Sequence, residues 1–268
     1  MIQYPNIDPI AFTIPVPFAS GIPVRWYGLT YLIAFSIAYF LATKRHNRPE
    51  FGFTKENLSD MLFYCAMGVI LGGRIGYVLF YGFDRFIENP LVLFEVWKGG
   101  MSFHGGFIGY CLAAYLYGRS INRSVWTMWD FSAQIAPLGL GAVRVGNFLG
   151  AELYGRATDL PWGVVFPNSD GLPRHPSQLY EAFLEGLVLF LIIWIFTRKP
   201  RPEKSAAALF LIFYGLFRSL VEFVREPDAH IGYIAWDWLT MGQILTMPMM
   251  VGGVLLWVWA YRSKSNQL

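Results

Sequence analysis

The stretch Gly139-Leu-Gly-Ala-Val-Arg-Val-Gly-Asn-Phe-Leu-Gly-Ala-Glu-Leu-Tyr-Gly155 begins inside an apolar run and ends in a polar segment. Arg144 sits there between valines and glycines. A guanidinium is costly to place in hydrocarbon, so it needs a partner or a task. The glycines let another backbone or a ligand come close. Apolar runs of similar length recur on both sides of this stretch, separated by short basic clusters. That alternation decides the fold class, because it is the pattern of a polytopic α-helical membrane protein.

The composition agrees. Of 268 residues, 55% are apolar, 18% aromatic and only 15% charged, where a soluble domain carries about 25% charged residues. The formal charge of +3 is small and comes from loops, so it does not indicate nucleic-acid binding. Cys65 and Cys111 each lie inside an apolar segment and read as small core residues rather than a disulfide or metal pair. Met1-Ile-Gln-Tyr-Pro5 has no basic stretch before its apolar residues, so no cleaved signal peptide is expected. Neither a repeat nor a low-complexity tract is visible.

Residues 1–21 are proline-rich and weakly apolar, and read as an interfacial lead-in. Seven spans follow, at about 22–43, 58–81, 103–118, 125–148, 178–197, 205–224 and 236–261, with a polar head at about 149–176. One set of loops holds Lys44, Arg45, Arg48, Lys55, Arg119, Arg123, Arg198, Lys199, Arg201, Lys204, Arg262 and Lys264. The other holds only Arg85, Lys98, Arg156, Arg174 and Arg225, with Arg25 at the edge. The positive-inside rule therefore places the N-terminus outside and the C-terminus in the cytoplasm. The expectation is an all-α integral membrane protein, one domain over 1–268, with seven transmembrane helices and a small outer head.

Depth follows from the helical rise. Counting from Leu58, Ser205 and Val125, Arg74, Arg218 and Arg144 lie roughly 24, 20 and 28 Å from the cytoplasmic side of a core of about 30 Å. All three fall in the outer half. His104, in Gly99-Gly-Met-Ser-Phe-His-Gly-Gly106, and Arg25-Trp26-Tyr27 open their spans from the same side.

Arg144 and Asn147 share a helix face, with Glu152 and Tyr154 where the chain leaves the membrane. An anion-binding arginine beside an orienting amide fits this spacing, and so does an arginine snorkelling to the interface with Glu152 as counter-ion. Tyr214, Arg218, Glu222 and Arg225 form one stripe on the sixth span, which must face the protein interior or a cleft. Arg218 with Glu222 is either a structural pair or part of a phosphate site, since guanidinium matches phosphate oxygens bidentately. Arginines on separate spans at similar depth favour a lipid phosphate. The His104 imidazole can take a proton from a nucleophile, although a histidine at a helix start is more often structural. His175 reads as structural, and His46 and His230 carry no signal. Arg74, in Leu71-Gly-Gly-Arg-Ile-Gly76, bridges helices or binds lipid; the spacing leaves both open. Tyr27 and Trp26 fit an aromatic belt. Glu181 and Glu185 share a face of the fifth span, available to pair with an arginine. No metal-ligand spacing, phosphate loop, nucleophile elbow or dinucleotide fingerprint is present.

Taken together, the blocks Arg25–Gly28, Gly72–Tyr77, Gly99–Gly106, Gly141–Gly155, Arg174–Glu181 and Phe217–Asp228 resemble the bacterial phosphatidylglycerol–prolipoprotein diacylglyceryl transferase family over nearly the whole chain. One departure is Gly150, where many members carry asparagine. The resemblance implies transfer of a diacylglyceryl group from phosphatidylglycerol to the lipobox cysteine of a prolipoprotein signal peptide, releasing glycerol 1-phosphate. It implies no metal or organic cofactor, a place in the bacterial inner membrane, and a site toward the periplasmic face. Carried over by position, His104 is the base and Arg144 and Arg218 stabilise the leaving phosphate. Asn147 holds the headgroup or thiol, Tyr27 binds the headgroup, and Glu152, Glu222 and Arg225 orient the arginines, with Gly155 and Tyr214 lining the site. A flippase or transporter would also bury such charges, but usually in repeated halves broken near the midplane. A scaffold would not need an arginine on each of three spans.

Overall fold

The protein is described by a computed structural model covering residues 2–15, 21–95, 99–226, 234–236 and 238–265; Lys98, Asp228 and His230 lie outside the described residues. Helices occupy all seven expected places: α1 (Trp26–Arg45), α2 (Lys55–Tyr81), α4 (Phe103–Ser120), α5 (Val125–Leu149), the run from α6 (Ser177–Glu181) to α7 (Leu189–Phe196), α8 (Ser205–Glu222) and α9 (Met241–Ser265). A short α3 (Phe83–Glu88) follows α2. Five of the seven, α4 and α5 excepted, are long and apolar enough to cross a membrane by length and composition.

Two differences from the expected boundaries are informative. The described residues of the lead-in and the start of the first span are not helical. Strand β2 (Ile10–Ile14) pairs antiparallel with β3 (Ile22–Arg25), and α1 opens only at Trp26. The fifth span is interrupted by a π-helical segment, Ala182–Val188, between α6 and α7.

The chain divides into two compact units, residues 42–131 and residues 1–41 with 132–268. In the first, α2 and α4 approach backbone to backbone. A Cβ at Gly68 would meet the Gly109 carbonyl oxygen at 2.5 Å, and one at Gly76 the Gly105 Cα at 2.9 Å. Small residues at helical spacing allow this approach, as they do in hydrocarbon generally. Thr54 and Asn57 form a capping box at the start of α2. Phe51, Phe53 and Phe131 close a buried aromatic cluster, their rings 5.0–6.0 Å apart.

In the second unit, α5 carries glycines on two sides. Gly139 and Gly146 face Ala34 and Thr30 of α1, while Gly141 faces Gly186 of the π segment. Ala133, Leu189, Ile193, Ala206, Leu209 and Phe217 form the apolar core. The head is small. Strand β1 (Ile2–Gln3) pairs in parallel with β4 (Val164–Val165), and Tyr4 Oη donates to the Phe148 and Leu149 carbonyls, filling acceptors left open at the end of α5. Elsewhere large apolar side chains stand exposed, among them Leu32 (63%), Phe63 (62%) and Leu255 (65%). Such faces suit lipid and not water.

Candidate active site

The second unit gathers its charges around one carboxylate. Glu181 ends α6 with its side chain fully buried. Its Oε1 accepts from Arg218 Nη1 at 2.5 Å and from Arg225 Nη1 at 2.9 Å, and its Oε2 lies 2.9 Å from Arg144 Nε. Three arginines, from α5, α8 and the turn after α8, thus converge on a residue of the fifth span. Glu222 backs two of them, its Oε2 lying 2.9 Å from Arg218 Nη2 and 3.3 Å from Arg225 Nε. The other oxygen of Glu222 accepts from Thr240 Oγ1 at 3.0 Å.

Glu185 is the third carboxylate of the nest. A π-helical turn is wider than an α-helical one, so residues four apart still face nearly the same way. Glu185 therefore points to the same side as Glu181, with Oε2 at 3.9 Å from Arg144 Nη2. Its Oε1 is buried with no hydrogen-bond partner among the described residues. Gly186 permits this geometry, because a Cβ there would come within 2.7 Å of Gly141 Cα. The nest balances three guanidiniums against three carboxylates. Arg144 is the most exposed of the three arginines, 23% against 16% for Arg218 and 14% for Arg225.

The end of the nest is latched to the head. Gly155 forms a β-bridge with Arg225, and Arg156 N donates to the Val224 carbonyl at 3.0 Å. The Arg156 guanidinium donates to the carbonyls of Arg225 (2.8 Å) and Glu222 (3.2 Å). A Cβ on Gly155 would run into the Val224 carbonyl oxygen and lie 2.8 Å from His175 Cβ. Glycine is required there by approach. Arg174 adds a surface clasp to Asp170 and Glu226, at 2.9 and 2.7 Å. Its hydrogen bond holds the Asp170 carboxyl below the ordinary carboxylate range. Burial lowers the His175 imidazole, helped by the nearby Arg156 charge.

The expected site residues are distributed as follows. Arg144, Arg218, Glu222 and Arg225 meet in the nest. Asn147, one helical turn beyond Arg144, is buried. Tyr214 lies on the Arg218 stripe with its ring stacked on Phe210. Tyr27 is 42% exposed at the start of α1, its hydroxyl 3.2 Å from that of Tyr31. Glu152 departs from both roles considered for it. It is exposed, between Ala151 and Leu153 at φ values of 53° and 57°, with its Cδ 3.5 Å from where a Cβ on Gly150 would stand, and it pairs with no arginine among the described residues. Its backbone carbonyl instead accepts from Gln178 Nε2 at 2.5 Å. Arg144 takes Glu181 as counter-ion.

His104 lies in the unit of residues 42–131, exposed at the second position of α4 with its ring 5.8 Å from that of Phe103. Arg74 is 4% exposed and gives its donors to backbone carbonyls, so it bridges segments and does not offer a free fork to lipid. Glu181, which the sequence offers only as one of two fifth-span carboxylates available to pair with an arginine, is the hub. The available signal was charge balance, since three arginines on apolar segments require carboxylates somewhere on others. Among the described residues no three His, Cys, Asp or Glu side chains are placed to hold a metal ion.

The chain is thus a mostly helical membrane protein whose second unit holds an arginine nest neutralised by its own carboxylates. The comparisons with known proteins give that class a family. Residues 9–259 match the family described as prolipoprotein diacylglyceryl transferase. Relatives named phosphatidylglycerol–prolipoprotein diacylglyceryl transferase include those of Pseudomonas paraeruginosa, 54% identical over 100% of this chain and 98% of the relative, and Pseudomonas putida, 53% identical over 98% of each. A Pseudomonas fluorescens relative of the same name is 54% identical over 99% of this chain and 97% of its own length. The chain belongs to the prolipoprotein diacylglyceryl transferase family, and it is an enzyme, a transferase.

Proposed function

We propose that this chain moves the sn-1,2-diacylglyceryl group of phosphatidylglycerol to the thiol of a lipobox cysteine in a prolipoprotein signal peptide, the first step of lipoprotein maturation. The observation that carries the mechanism is the convergence of Arg144, Arg218 and Arg225 on buried Glu181. Arginines fixed in this way are preorganised, and donors that need not reorganise are worth most where charge develops.

In the reaction the cysteine sulfur attacks C3 of the lipid glycerol. A C–S bond forms, the C–O bond to phosphate breaks, and its electron pair leaves with the phosphate oxygen. The lipid phosphate carries one negative charge before this step and gains a second as glycerol 1-phosphate departs. Arg144 and Arg218 stabilise that increase. Arg225 and Glu222 keep Arg218 oriented, Asn147 supplies an amide to headgroup or thiol, and Tyr27 binds the headgroup at the interface. Tyr214 and Gly155 line the site, and Glu152 touches an incoming substrate from its exposed position. The attacking group must be a thiolate, since a free thiol has a pKa near 8.5 and is a poor nucleophile. His104 accepts that proton. The chain works as one transferase domain of seven membrane helices in the bacterial inner membrane, N-terminus outside, with the site toward the periplasmic face.

Purified protein given phosphatidylglycerol vesicles and a lipobox peptide is expected to yield diacylglyceryl peptide and glycerol phosphate in equal amounts. Folded protein that forms neither product would overturn the proposal. His104→Gln with near-parental turnover would remove His104 as the base.

A further inference from the structure

We infer that Arg74 is a positioning residue for His104, acting through the turn that precedes α4. This rests on the assignment of His104 as the proton acceptor. The buried guanidinium of Arg74 draws together two separate pieces of chain. Its Nη2 and Nε donate to the carbonyls of Val92 (2.5 Å) and Leu93 (3.1 Å), and its Nη1 to those of Gly99 (2.6 Å) and Gly100 (3.0 Å). These are every polar contact Arg74 makes among the described residues, and no carboxylate is among them. The planar fork of arginine, with donors on three nitrogens, suits it to gather carbonyls in this way.

Consecutive residues in an extended chain turn their carbonyls to opposite sides. Gly99 and Gly100, at φ values of 81° and 78°, turn both toward one guanidinium nitrogen. Neither could carry that φ cheaply as another residue, and a Cβ on Gly100 would also strike the Tyr77 ring at 2.5 Å. From there the path to His104 is short and fixed. Ser102 N donates to the Gly73 carbonyl at 2.9 Å, and Ser102 Oγ caps α4 by accepting from Gly105 N at 3.2 Å. Gly105 rests on Gly76. Ahead of the clamp, α3 buries no residue and exposes Phe83, Ile87 and, in the following 3₁₀ turn, Leu91 and Phe94. That segment has little apolar packing of its own to fix the turn, so the carbonyl clamp does.

The test is a double-mutant cycle on kcat/KM, scored per molecule of folded enzyme by gel filtration and denaturation midpoint. Arg74→Gln is expected to lower kcat/KM by about 10- to 100-fold, the range of a misplacement near 1 Å. Arg74→Lys keeps the charge but cannot reach carbonyls on both pieces, and should lose nearly as much. The decisive measurement is Arg74→Gln in a His104→Gln background, where no further loss is expected because the residue it acts through is gone. Multiplying losses in the double variant, or rescue by Arg74→Lys, would overturn the inference while leaving His104 in place as the base. If His104→Gln alone retains parental activity, the assignment of the base fails first, and Arg74 has nothing to position.

Discussion

Replacing Glu181 by Gln isolates the part the buried carboxylate plays. The glutamate offers two acceptor oxygens, Oε1 to Arg218 and Arg225, and Oε2 to Arg144. Glutamine offers one, and turns two amide hydrogens toward a guanidinium. At least one arginine loses its partner while staying mostly buried. Removing one member of a buried pair costs about 3–5 kcal/mol, and a single charge-assisted hydrogen bond contributes about 1.5–3 kcal/mol. Glu222 still holds Arg218 and Arg225, so the loss of stability should fall near the lower figures, about 2–3 kcal/mol. The larger effect is on turnover. A guanidinium displaced by about 1 Å loses about 100-fold in rate, which corresponds to about 2.7 kcal/mol of barrier. The assay is kcat/KM with phosphatidylglycerol vesicles and peptide, beside a denaturant midpoint in detergent. Glu185→Gln is the control. Its Oε2 is 3.9 Å from Arg144 Nη2 and its Oε1 has no hydrogen-bond partner among the described residues, so Glu185→Gln breaks no close ion pair and should cost clearly less than Glu181→Gln. Equal losses in the two variants, or parental turnover in Glu181→Gln, would refute the hub.

Two further outcomes are expected. Gly186→Ala places a methyl 2.7 Å from Gly141 Cα, so backbone must shift; a cost of about 1–3 kcal/mol follows from overpacking, partly offset by about 1 kcal/mol of better helix propensity. Because the displaced segment follows directly on Glu181 at the end of α6, kcat should fall with stability, and unchanged values of both would contradict the close approach. His175 governs a pH effect. Its folded pKa lies below the ordinary 6.5, so the unfolded chain takes up the proton first as pH falls. The stability it contributes is complete above about pH 6.5 and is lost as pH drops through the lowered folded value. Denaturation midpoints measured from pH 7.5 to 5 should therefore decline less steeply in His175→Gln than in the parent. Identical slopes would remove His175 as the cause.

Much of the scaffold could be read from run length and basic stops alone, because a helix in lipid must satisfy its own backbone and advertises itself by about 20 apolar residues. The N-terminal hairpin was hidden because Ile10-Ala-Phe-Thr-Ile14 is short and its partner, Ile22–Arg25, abuts a helix start that shares its apolar character. The π segment left no compositional trace. Site residues divided by a different rule. Arg218 and Glu222 were visible as a stripe because their spacing is local to one helix, and Arg225 follows in the turn just after it. Glu152 is near Arg144 in sequence, yet among the described residues the partner of Arg144 is Glu181. Glu181 is 37 residues from both Arg144 and Arg218. No period links them, so only electrostatics could have done so. Apolar segments hold Arg144, Arg218 and, at the end of α8, Arg225; each would be prohibitive in hydrocarbon unpaired. The carboxylates able to neutralise them from within such segments are few, and Glu181, Glu185 and Glu222 match the arginines one for one. The shared face of Glu181 and Glu185 already offers the fifth helix as a source of partners; counting charges across spans, rather than along each, is what makes it the hub.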